Sequence, residues 1–187
     1  MVRAWRFGLI VGAMLAATDV APAPTAAQSP APPFQEFAET FKAWKLYCQV
    51  WSDTKRVECE LGSRTGSDRK SRLVWLRSTE RWMEGLRLRL DGAGTDLDKG
   101  VRIWVDNALI RPESSCKPFA FESGTCTIPD PATNHALVDK MLTGKGVTVV
   151  GQTPDGAKSE IRFSLTGFKE AVERMEQIRR GTGSAWM

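Results

Sequence analysis

The chain has 187 residues, with 26 Lys and Arg against 22 Asp and Glu, for a formal net charge of +4. That length suits one domain with a sizeable core, and so mild a charge does not by itself demand nucleic acid or a membrane surface as partner. A single histidine, His135, leaves no cluster of the kind that zinc or histidine-based catalysis requires.

The N-terminus reads as an export signal. Arg3 and Arg6 open it, an apolar run extends from Phe7 to Ala17, and small residues close it at Thr25, Ala26 and Ala27. The run is about 11 residues long, against roughly 20 for a membrane-spanning helix. Residues 1–27 are therefore expected to be removed by a cut after Ala27, since a cut after Ala23 would leave Pro24 directly behind it. No cysteine stands near the cut to carry a lipid, and no later segment is apolar enough to anchor the chain. Removal takes away Arg3, Arg6 and Asp19, two cations and one anion, so the net charge falls from +4 to +3.

Residues 28–40 follow as a Pro-rich tether, opening Gln28-Ser-Pro-Ala-Pro-Pro33. From the end of this stretch into the domain, Phe34, Phe37 and Phe41 fall on one face if Phe34–Lys42 forms a helix. The folded domain is expected over 41–180, with a loose tail at 181–187. From Ala43 to about Gly167 the dominant period is two. Trp44, Leu46, Cys48 and Val50 share one strand face, and Val57, Cys59 and Leu61 share the next, with Ser52-Asp53-Thr54-Lys55 as the turn. Leu73 and Trp75 mark a third strand, and Leu86, Leu88 and Leu90 a fourth that breaks at Asp91-Gly92. Val101, Ile103 and Val105 mark the next, ending at Asp106-Asn107.

A helix over Asn134–Thr143 is stopped by Gly144. A hairpin pairs Val147–Gln152 with Glu160–Leu165 across Thr153-Pro-Asp-Gly156, where proline presets φ and glycine accepts positive φ. The C-terminal run Phe168–Arg180 places Phe168, Ala171, Val172, Met175 and Ile178 in one apolar stripe, with Arg179 and Arg180 at the end where the helix dipole favours cations. Seven or so short strands at this spacing predict a mainly β sandwich or barrel.

The four cysteines, Cys48, Cys59, Cys116 and Cys126, allow three disulfide connectivities. The pairs Cys48–Cys59 and Cys116–Cys126 are favoured, because each flanks a short turn-like segment; closing such loops stabilises by roughly 3 kcal/mol. The first pair would sit in neighbouring strands, for which an offset register is expected. The spacing contains no CxxC, so metal binding is not expected.

Catalytic motifs are missing. No GxSxG elbow partners His135, Gly62-Ser-Arg-Thr-Gly66 lacks the GK[ST] of a phosphate loop, and the carboxylate pairs Asp96/Asp98 and Glu58/Glu60 lie in a turn or along one exposed strand face. No cofactor is expected. The electrostatic feature is the stretch Arg64–Arg89, where Arg64, Arg69, Lys70, Arg72, Arg77, Arg81, Arg87 and Arg89 face only Asp68, Glu80 and Glu84, with Trp82 nearby. Arg72, Arg77, Arg87 and Arg89 are the candidate anion-binding residues, suited to phosphate or carboxylate in forked geometry. The bland alternative is a solvated outer sheet face. Of the tryptophans, Trp44 and Trp75 fall with core neighbours, while Trp104 falls opposite Ile103 and Val105, either exposed or on a second packed face.

These segments in this order resemble the invasion-associated locus B family of exported bacterial proteins. The resemblance rests on Trp44-Lys-Leu-Tyr-Cys48 with Cys59 in the next strand, Asp106-Asn107, Gly124-Thr-Cys126, Asp139-Lys-Met-Leu-Thr-Gly144, Val147-Thr-Val-Val150, and Ser164-Leu-Thr-Gly-Phe168 running into Lys169-Glu-Ala171. It spans about residues 41–175. It implies an immunoglobulin-like β-sandwich with a short helix before the last hairpin and a C-terminal amphipathic helix, placed in the periplasm or at the outer membrane. Some members are associated with host-cell entry, and the family supplies no catalytic or binding residues. Two departures stand out: the second cysteine pair is usually closer together, making Lys117–Thr125 an insertion, and Arg64–Gly85 is unusually basic. The function expected is therefore non-enzymatic binding to an envelope or host-surface component, without nucleic acid. An anionic glycolipid or acidic glycan on the Arg64–Arg89 face is one alternative; a cofactor-free enzyme with an acidic site and a chaperone-like module using an open sheet edge are others.

Overall fold

Apolar side chains at every second position cannot all be buried by one sheet, and in the computed structural model they meet across two. The structure describes residues 33–63, 66–79, 84–90, 94–110, 116–120 and 122–181. The export signal and its cut, residues 28–32, Arg64, Glu80, Arg81, Trp82, the Asp91-Gly92 break and residues 182–187 lie outside the described residues.

The larger sheet contains β1 (Phe34–Phe41), β2 (Trp44–Trp51), β3 (Val57–Ser63), β4 (Arg72–Ser78), β5 (Gly85–Arg89), β8 (Lys117–Pro118) and β9 (Thr125–Thr127), in the order β1-β2-β3-β4-β5-β9-β8. The smaller contains β6 (Arg102–Val105), β7 (Ala108–Leu109), β10 (Gly146–Gln152) and β11 (Lys158–Ser164), in the order β11-β10-β6-β7. All pairings are antiparallel. Helix α1 (Pro131–Thr143) precedes the last hairpin and α2 (Phe168–Gly181) closes the described chain. This is the mainly β, two-sheet architecture the alternation predicted, with both helices in their expected places.

One core joins the sheets and helices. Trp44, Leu46, Leu61, Leu73, Leu86 and Leu88 come from the larger sheet, Ile103, Val149, Ile161 and Phe163 from the smaller, and Leu137, Met141, Phe168 and Met175 from the helices. Each fully buried Leu or Phe contributes about 1.5–3 kcal/mol relative to exposure. Helix α2 packs over β1, β2 and β3. Its first residue, Phe168, packs at a tilt against Trp44 with centroids 4.7 Å apart, and the Trp44 indole N–H donates to the Ser164 carbonyl at 3.0 Å. Gly167 makes the entry: its φ is +90°, and a Cβ there would lie 2.2 Å from the Phe41 carbonyl oxygen. Glycine alone fits.

Four expectations change. Residues 34–41 form strand β1, not a helix, and the chain joins the sheet at Phe34, inside the segment expected as tether. The i, i+3, i+7 spacing of the phenylalanines is incidental: Phe37 and Phe41 turn inward opposite Cys48 and Trp44, while Phe34 pairs with Trp51 on the other face. Full-length pairing with β2 overrides a weak helical period. Cys48 and Cys59 are bonded as favoured, but directly opposed instead of offset. Non-hydrogen-bonded antiparallel pairs bring Cα atoms to about 4.5 Å, and the 4.1 Å here is within a bridge's reach. Cys116–Cys126 is likewise formed, and the loop it closes carries β8 and leads into β9, which extend the larger sheet beside β5. Finally, α1 starts at Pro131, three positions before the apolar period shows it. Asp130 caps it by accepting the Thr133 N–H at 2.8 Å, with proline at the first turn.

Candidate functional site

The alternation that buries Leu46, Leu61, Trp75 and Leu88 turns the intervening residues of the larger sheet outward. Register then decides which of them become neighbours. Arg72 lies directly opposite Arg89, which is followed by Thr125. The next row across the sheet reads Lys45, Gly62, Val74, Arg87, Thr127 and Lys117. Below it come Tyr47, Glu60 and Leu76, then Glu36, Gln49, Glu58 and Ser78. The outer face is thus graded along the strands: a cationic band at one end, an acidic band at the other, with Val74, Leu76 and Tyr47 between.

Each group is held. Arg87 lies over the Phe119 ring, 4.5 Å from its centroid. Burial pushes the Arg87 guanidinium below its ordinary range, and the Glu122 and Glu60 carboxylates pull it back up. Arg89 pairs with Glu122 at 2.6 Å. At the acidic end Tyr47 Oη donates to Glu36, and Gln49 Nε2 donates to Glu36 Oε1 at 3.2 Å and to Tyr47 Oη at 2.8 Å. The bonds from Tyr47 and Gln49 hold the Glu36 carboxyl below its usual range, and the bond to Glu36 raises the Tyr47 phenol against the opposing effect of the Gln49 amide. Arg56 reaches Glu58 at 3.3 Å and stacks over Trp51 at 3.9 Å. Two troughs of about 270 and 360 Å³ lie on this face, sharing Tyr47 and Glu60; Arg87 lines the first, Lys45 and Arg72 the second. A cleft of about 390 Å³ at the end of the smaller sheet also holds cations, but there Lys99 Nζ is bound to the Thr153 and Pro154 carbonyls and Lys158 to Glu160.

Of the four candidate arginines, the structure brings Arg72, Arg87 and Arg89 together and separates Arg77. Arg77 shares the inner parity of Leu73 and Trp75, with only 19% of its side chain exposed. It bonds Glu84, lies 3.3 Å from Glu176 of α2, and sits beside the Trp75 ring. Arg179 grips the same Glu176 at 2.9 and 3.1 Å. Arg77 is thus a tie between sheet and helix, and it reaches the outer face only where it borders the first trough. Arg69 and Lys70 lie on the β3–β4 loop, and Arg64 and Arg81 lie outside the described residues. Lys45 and Lys117, outside the basic stretch, were missed; only register brings them into the row.

The remaining candidates fall elsewhere. His135 is exposed on α1. All four cysteines are disulfide-bonded. Among the described residues no three His, Cys, Asp or Glu side chains gather as for a metal. Trp104 is half-buried on the outer face of the smaller sheet, opposite Leu109 and Thr148.

Fold and site define a disulfide-stapled, two-sheet β protein with a graded, charged outer face on its larger sheet. The family model of the Invasion associated locus B (IalB) protein matches residues 44–176, and the chain belongs to that family. Comparison with curated proteins and with solved structures returned no match. The family and the two disulfides together indicate an exported protein. No helix among the described residues is long and apolar enough to cross a membrane.

Proposed function

We propose that this protein works in the bacterial envelope by binding and not by catalysis, and that its ligand is an acidic glycan or phosphorylated glycolipid held on the outer face of the larger sheet. The observation that carries the reading is the direct opposition of Arg72 and Arg89 with Arg87 one row away. Like charges directly opposite one another destabilise a sheet; Glu122 offsets part of that cost at Arg89, and an anion lying across the pair would offset more. Forked guanidinium contacts suit phosphate, sulfate and carboxylate alike. The adjoining Tyr47, Glu60 and Gln49 offer the ring and the hydrogen-bonding groups that sugar hydroxyls use. The family's link to invasion is consistent with a ligand on the bacterial or host surface.

Retention on heparin and binding to lipopolysaccharide, each followed against salt, test the reading. Arg72→Ala with Arg87→Ala is expected to weaken both by about tenfold per arginine, as for charge-assisted hydrogen bonds. Unchanged retention would rule out this face.

A further inference from the structure

Strand β1 pairs with β2 along its whole length, and no described strand pairs with its other side. The direction of its free backbone groups follows from the ladder. Cys48 and Cys59 form a narrow pair with Cα atoms 4.1 Å apart, and the bond from Trp51 N to Arg56 O at 2.9 Å marks the hydrogen-bonded positions between β2 and β3. Cys48 therefore turns its N–H and C=O toward β1, where it meets Phe37. By alternation Gln35, Phe37, Glu39 and Phe41 bond to β2, while Phe34, Glu36, Ala38 and Thr40 direct their N–H and C=O outward.

The other long outer strand is covered. The β3–β4 loop lies on β11, where Ser67 N donates to Arg162 O at 2.8 Å and Arg162 N donates to Ser67 Oγ at 3.0 Å. Strand β1 has no proline, no lysine and no bulge in its register, and its inward charge, Glu39, is neutralised by Arg174 of α2.

We propose that this edge pairs with the same edge of a second copy, joining two larger sheets into one. A two-fold axis through Phe37, normal to the sheet, sets Glu36 opposite Ala38 and Phe34 opposite Thr40, so every outward N–H of one copy meets an outward C=O of the other. In that register Glu39 faces Gln35, Phe37 faces itself, and no carboxylate lies opposite another. The edge is self-complementary, as a two-fold interface requires.

Sedimentation velocity of the disulfide-intact chain, up to about 100 µM, tests this, because a dimer's population rises with concentration. The wild type is expected to dimerise. Ala38→Pro removes an outward N–H while sparing the β2 ladder, so it is expected to stay folded by circular dichroism and to run as a monomer. Ala38→Glu, which sets a carboxylate against Glu36 of the partner strand, decides the matter should the proline variant unfold; it is expected to weaken the dimer about fivefold or more. A wild type that stays monomeric, or a dimer that persists in the folded variant, would overturn the proposal. Arg72→Ala with Arg87→Ala, which alters β4 and β5 and leaves β1 intact, should dimerise like the wild type, so this result is separable from that of the outer-face arginines.

Discussion

Asn134 is buried in α1, where its side-chain carbonyl accepts the Leu86 N–H at 2.9 Å and its amide donates to the Ile128 carbonyl at 2.7 Å. One side chain thereby satisfies two backbone groups and pins the helix to β5 beneath the arginine face. Asn134→Leu leaves both groups unpaired and should cost about 2–4 kcal/mol in denaturant unfolding; a loss under 1 kcal/mol would contradict this role. Asp68 does similar work in the β3–β4 loop, accepting Ser71 Oγ at 2.6 Å, Ser71 N at 2.9 Å and Lys70 N at 3.2 Å. Burial raises its carboxyl, but those bonds outweigh it and hold the pKa below the ordinary value. A depressed folded-state pKa stabilises above the unfolded value, about 3.9, and that contribution is lost as pH falls through the lower folded-state value. The part of acid destabilisation below about pH 4 due to Asp68 should therefore disappear in Asp68→Asn, measured by urea unfolding at pH 3 and pH 6.

At the scale of elements, the Cys48–Cys59 bridge ties the hairpin that supports both β1 and the trough floor. Replacing both cysteines by alanine should cost about 2–5 kcal/mol, read as a lower thermal midpoint. The turn at Gly167 is the other fixed point: Gly167→Ala would press a methyl group into the Phe41 carbonyl, and a loss of about 3 kcal/mol or more is expected by calorimetry. The strands that build this hairpin were legible because Trp44, Leu46 and Cys48 alternate cleanly, and α2 because its stripe and its arginine end agree. Strand β1 was misread because its alternation is mixed, with Glu39 on the inner face bonded to Arg174 of α2 at 2.8 Å, a contact invisible along the chain. Arg77 was legible in principle. Alternation alone puts it with Leu73 and Trp75, but eight cations in one stretch suggested a single surface. The reach of Lys45 and Lys117 into the cationic row was not legible, since it depends on five pairings across six strands.

At the scale of the whole molecule, one face of the larger sheet is spent on the shared core and the other is left for contact. The disulfides and helices hold the inner face, so the outer face can vary in charge without unfolding the domain. That separation lets this member of the Invasion associated locus B family carry a basic β4–β5 region on an intact two-sheet frame. It also keeps the two proposed contacts apart, anions on the face and a second copy along the β1 edge. The most direct test of the face is amide chemical-shift mapping of the disulfide-intact protein titrated with a sulfated oligosaccharide. Saturating shifts concentrated at Lys45, Arg72, Val74, Arg87, Arg89 and Thr127 are predicted, whereas shifts confined to other surfaces, or none, would contradict the account.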